Sequence, residues 1–65
     1  MRLYALTELG RKIASTKYDD SDEFRILAYL RDHKTGTDEE LGVIGGRHTV
    51  RRLKQRGLIR ELTTG

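Results

Sequence analysis

The sequence predicts a small α+β domain, mostly α, whose two chain ends pair as a two-stranded antiparallel ribbon beside a set of short helices. Three observations carry this. Short apolar runs stand near both ends, Leu3-Tyr4-Ala5-Leu6 and Leu58-Ile59 with Leu62. Between them, apolar residues recur at three- and four-residue spacing, the period of helices. Helix-capping residues and glycines divide that region into segments too short for a long bundle. At 65 residues the chain has room for one core. It has no cysteine, and its two histidines, His33 and His48, stand outside any metal-ligand pattern, so no disulfide or structural metal is expected to staple the fold.

Residues 2–6 read as the first strand. Thr7 is a good N-cap, and Leu9, Ile13 and Ala14 then recur at helical spacing, giving a helix over about 8–17. Gly10 inside it costs about 1 kcal/mol relative to alanine, which suggests that another backbone approaches closely there. Tyr18–Ser21 is a linker ending in an expected capping box of Asp20 and Glu23. The helix over about 22–34 should bury Phe24, Leu27, Ala28 and Leu30, with Ile26 and Tyr29 at the margins, and Gly36 is its expected left-handed cap. Thr37-Asp38-Glu39-Glu40 is a second capping box, opening a short helix over 38–44 that buries Leu41 and either Val43 or Ile44. Gly45-Gly46 makes a turn, residues 47–56 form the next helix, Gly57 ends it, and 58–62 form the last strand.

Charge is distributed unevenly. Residues 1–17 carry four basic and one acidic side chain, residues 18–46 three and eight, and residues 47–65 six and one. Pairing the two end strands would bring the basic ends together into one positive face. No apolar run approaches the length of a membrane span, and no signal peptide precedes the charged region. A soluble, cytoplasmic domain with no membrane partner is therefore expected.

Helix 47–56 is where charge and geometry meet. At about 100° per residue, Val50 and Leu53 define its inward direction. His48, Arg51, Arg52 and Gln55 then point outward, with Arg47 and Lys54 on one flank and Thr49 and Arg56 on the other. Arginine can pair bidentately with guanine and glutamine with adenine, and flanking cations suit phosphate oxygens.

The run from Thr37-Asp38-Glu39-Glu40-Leu41 through Val50-Arg51-Arg52-Leu53 to Arg56-Gly57-Leu58-Ile59 resembles the helix-turn-helix core of winged-helix DNA-binding proteins. It covers about 23 residues directly, and about 38 with the preceding helix. Tyr4-Ala5-Leu6-Thr7-Glu8-Leu9-Gly10-Arg11-Lys12 resembles the strand-to-helix junction that follows the wing in many such proteins, but here it comes first, an order similar to the N-terminal segments of archaeal phenylalanyl-tRNA synthetase alpha chains. The resemblance implies a permuted winged helix in which the wing is cut, with Arg2 and Arg60 left to make wing-like phosphate contacts. It implies that the first half of the recognition helix reaches bases, which favours Arg47, His48, Arg51 and Arg52. Lys54, Gln55 and Arg60 become mainly phosphate contacts, and Thr49 lies on the same helix surface. The expected partner is double-stranded DNA, read sequence-specifically by a microbial or viral transcriptional regulator. One monomer covers about one half-site, so a homodimer on DNA is compatible with this reading. An RNA-binding version of the fold and a protein-interaction module docking on an acidic partner stay open.

Catalysis is not expected. The chain has no paired acid and base, no activated nucleophile and no cofactor-binding motif. Asp19, Asp20, Asp22 and Glu23 lack the spacing of a calcium loop, and the glycines between 42 and 46 lack the Lys-Ser/Thr ending of a phosphate loop. Tyr4, Tyr18 and Tyr29 read as core-edge packing rather than base-stacking platforms.

Overall fold

In a computed structural model of the chain, residues 2–16 and 21–62 are described. They form β1 (Leu3–Leu6), α1 (Glu8–Thr16), α2 (Asp22–His33), β2 (Thr35–Thr37), α3 (Asp38–Gly45), α4 (Arg47–Gln55) and β3 (Ile59–Leu62). The architecture is α+β and mostly α. β1 pairs antiparallel with β3, Leu3 opposite Leu62 and Leu6 opposite Ile59, so the two ends of the chain do meet. The sheet has three strands rather than two, however, in the order β2-β1-β3. Thr35-Gly36-Thr37 fills the other edge of β1, with Tyr4 opposite Gly36.

That third strand corrects the expected end of α2. Gly36 is not the cap. Lys34 takes the positive φ of 71° and donates its N–H to the Leu30 carbonyl at 2.8 Å. Gly36 is buried in the strand, where an added Cβ would meet Leu41 and Tyr29 at 3.0 Å. The start of α2 is also different. Ser21 is its N-cap, accepting from the Phe24 N–H at 3.2 Å, and Glu23 is turned to another use. Asp20, like Tyr18, lies outside the described residues.

The other caps fall where the sequence puts them. Thr7 Oγ1 accepts from the Gly10 N–H at 3.1 Å and donates to the Gly57 carbonyl at 2.6 Å, so one hydroxyl opens α1 and ties it to the end of α4. At α3 both halves of the capping box form, Glu40 N–H to Thr37 Oγ1 at 3.1 Å and Thr37 N–H to Glu40 Oε1 at 3.0 Å. Gly46 joins α3 to α4 with a φ of 91°, a left-handed conformation that a side chain would strain.

The core lies between the sheet and the helices. Ile26, Leu30, Leu41 and Leu53 are its fully buried centre, with Tyr4, Leu6, Val50 and Leu58 around them. Ile26 therefore sits at the middle of the α2 stripe rather than its margin, and Ala28 is only half-buried. Leu9 does not join the core; it is half-exposed on α1, while Ile13 and Ala14 pack inward. On α3 it is Ile44 that packs, and Val43 is 88% exposed.

Glu40 also accepts from Tyr29 Oη at 2.7 Å, and the Tyr29 ring stacks on His33 at 4.2 Å. The Thr37 backbone N–H, then the Tyr29 hydroxyl, hold the Glu40 carboxyl below the ordinary glutamate range. The same bond raises Tyr29 above its ordinary value. A depressed carboxyl contributes stability above its unfolded pKa and loses it as pH falls through the folded value. The window therefore opens near glutamate's ordinary value of about 4.3 and extends to more acid pH. Thermal melts of the native chain and Glu40→Gln should differ most at neutral pH and converge in that window. A gap that does not change with pH would show that the carboxylate charge contributes nothing.

Candidate nucleic-acid interface

α4 has no side-chain cap. Gly46 precedes it, so no hydroxyl or carboxylate occupies the N–H groups of its first turn. Val50 and Leu53 are buried, and this fixes the rotation of the helix. Arg47, His48, Arg51, Arg52, Lys54 and Gln55 are all exposed, and Thr49 is half-buried. A nine-residue helix is about 13.5 Å long, so these side chains share one short surface.

The structure sorts them into two groups. Arg2, Arg47, Arg51 and Lys54 line one cleft of about 280 Å³ between β1 and α4, with Tyr4 and Val50 as apolar lining and Asp38 as the acid at its side. Glu61 of β3 is a counter-charge shared by Arg2, just before β1, and Lys54 of α4. Glu61 lies 3.7 Å from Arg2 and 3.5 Å from Lys54. Lys54 Nζ also stands 6.0 Å from the Tyr4 ring centre. Arg47 and Arg51 have no ion pair among the described residues. On the far side of α4, Arg52 and Arg56 turn toward α2, where Glu23 takes both, at 3.5 Å and 3.0 Å. Arg52 is thus ion-paired, not the free outward cation that the helical angle alone would make it.

Arg60 departs further. Sheet side chains alternate between faces. Arg60 is opposite Ala5, so it projects from the face bearing Leu3 and Ala5, opposite to the face that buries Tyr4 and Leu6. It does not stand beside α4. Arg2, two residues before Tyr4, has the parity that points toward α4 and lines the cleft there.

The sequence reading did not bring Glu23 and Glu61 to these cations, and placed Glu23 only in a capping box with Asp20. Neither has a local signal, because Glu23 and Arg56 are 33 residues apart and meet only when α2 packs on α4. Surface ion pairs of this kind contribute about 0–1 kcal/mol to stability, so their larger effect is on the charge that α4 presents. Glu23→Gln should leave the domain folded and release two cations. On a heparin column, a generic polyanion, the variant should elute at higher salt than the native chain, because Arg52 and Arg56 no longer share a counter-charge. Elution at the same salt would mean that the Glu23 pairs do not govern the charge that α4 presents.

No metal-binding group of three or more His, Asp or Glu is found among the described residues. No helix among them is long and apolar enough to cross a membrane. Comparison with protein-family models, with curated proteins and with solved structures finds no match to this chain.

Proposed function

We propose that this domain binds double-stranded DNA sequence-specifically, with α4 as the recognition helix and the β1–α4 cleft as a seat for backbone phosphate. The observation that carries this reading is the cleft itself, where Arg2, Arg47, Arg51 and Lys54 converge on one side of a helix whose first-turn N–H groups are uncapped. Those donors and the positive end of the helix dipole suit an anion. His48, Arg51 and Gln55 on the exposed surface supply donors of the kind that read base edges in a major groove. The sheet order β2-β1-β3 supports the permuted winged-helix reading, since β1 occupies the place a strand would take if it followed β3 through a hairpin.

The test is binding to a duplex across a salt series. Arg47 and Arg51, which are unpaired among the described residues, and Arg2 and Lys54, which share Glu61, supply two to four phosphate contacts and so a log-log slope between about −2 and −4 on the scale of about −0.9 per contact. A salt-independent affinity, or no duplex binding at low salt, would overturn the proposal. Competition with a structured RNA separates a DNA binder from an RNA binder of the same shape, because A-form helices close the major groove to an inserted helix.

A further inference from the structure

The fold carries a second basic cleft that α4 does not reach. Its volume is about 460 Å³, and it is lined by Ala5 and Leu6 of β1, Arg11 and Ser15 of α1, and Leu30, Arg31 and Lys34 of α2 and its cap. None of these lining residues comes from α3, α4 or β3. Arg31 is held in place there. Its Nη1 donates to the Ala14 carbonyl at 3.0 Å, which ties α2 to α1, and its Nε reaches Asp32 at 3.3 Å. Lys34, at the cap of α2, is exposed and lines the cleft as well. Arg11 has no ion pair among the described residues. Arg60 stands next to this lining rather than within it, as a fourth cation at its edge: it is directly opposite Ala5 on the neighbouring strand, and such residues hold their Cβ atoms about 5 Å apart. No carboxylate is among the described residues that line the cleft, and Asp32 beside it pairs with Arg31.

We infer that this surface is a second phosphate-backbone contact, and that one molecule can hold two duplex segments, one on α4 and one on the Arg11–Arg31–Lys34–Arg60 surface. The inference rests on the reading of α4 as a duplex binder and extends it. Four cations around an apolar floor suit a polyanion that lies across the surface, and a backbone with one charge per ~1.7 Å of duplex axis supplies several phosphates within that span. It accounts for Arg60, which the register turns away from α4.

The experiment is a bridging assay. One duplex is immobilised on beads, a second carries a fluorophore, and the chain is added at low salt. The native chain should bind the beads and capture the fluorescent duplex. Arg11→Gln with Lys34→Gln, both at exposed positions, should bind the beads as the native chain does, yet capture roughly tenfold less of the second duplex, the scale of two lost phosphate contacts. Native chain that binds the beads without capturing the second duplex overturns the inference and leaves the α4 reading standing. So does capture that survives the double substitution, which would mean that paired copies bridge through their α4 surfaces. Native chain that does not bind the beads at all overturns the α4 reading, and this inference with it.

Discussion

Replacing Arg47 and Arg51 together with alanine should abolish duplex binding while leaving the fold intact. Both side chains are exposed on α4, and both line the β1–α4 cleft without an ion pair among the described residues. They are the cations whose approach to a phosphate or a guanine breaks nothing already made. A good arginine contact to a base edge contributes about 1–3 kcal/mol of discrimination, so losing two should lower affinity by about 100-fold or more. Arg52→Ala provides the internal comparison. By helical angle Arg52 ranks with Arg51, but it spends its charge on Glu23, and its removal should weaken binding by under about threefold, less than one full phosphate contact in low salt. Thermal melts should place all three proteins close together, since exposed substitutions away from caps and core usually change stability by less than about 0.5 kcal/mol. An Arg52→Ala loss equal to that of the double variant would move the reading edge to the Glu23 side of the helix and remove the cleft from the proposal.

The difference between Arg51 and Arg52 marks what the sequence can and cannot convey. Local patterns were legible. Thr37 and Glu40 specify their capping box by identity and spacing alone, and the Val50–Leu53 pair orients α4 correctly because a helix buries one stripe whatever lies opposite. Pairing of the end strands was legible too, from two short apolar runs with nothing nearer to pair with. What depended on packing at a distance was not. Thr35-Gly36-Thr37 has no apolar alternation, and a glycine just after a helix fits a cap as well as a strand. It becomes β2 because β1 has a free edge beside it. The face on which Arg60 lies depends on strand parity, which a shift of one residue in register would invert. The α4 surface loses Arg52 and Arg56 to Glu23 because α2 crosses behind it, a meeting that no local window contains.

Gly10→Ala should destabilise the domain by about 2–3 kcal/mol, the upper range for overpacking, although alanine is the better helix former by about 1 kcal/mol. Gly10 is buried on α1 where the chain between α4 and β3 passes. An added Cβ would fall against the Leu58 carbonyl, 3.0 Å from its carbon and 3.1 Å from Leu6 Cδ2. The obstacle is backbone, which cannot rotate aside as a side chain can. That carbonyl also accepts the Thr7 N–H at 3.1 Å, while Thr7 Oγ1 donates to Gly57 next to it. Displacing Leu58 therefore loosens both hydrogen bonds joining the start of α1 to the α4–β3 link, and with them the two ends of the fold. In a domain of this size 1 kcal/mol corresponds to about 4–8 °C in Tm, so the melt should fall by roughly 10–20 °C. Gly42→Ala on α3 is the control with the opposite sign. Its Cβ would meet Arg47 Cγ at 3.6 Å, an ordinary contact, and the gain in helix propensity should raise the melt by a few degrees. If both substitutions raise it, the α1–Leu58 approach is looser than the structure has it. If Gly10→Ala alone unfolds the chain, that contact is what holds the first strand and helix to the α4–β3 link.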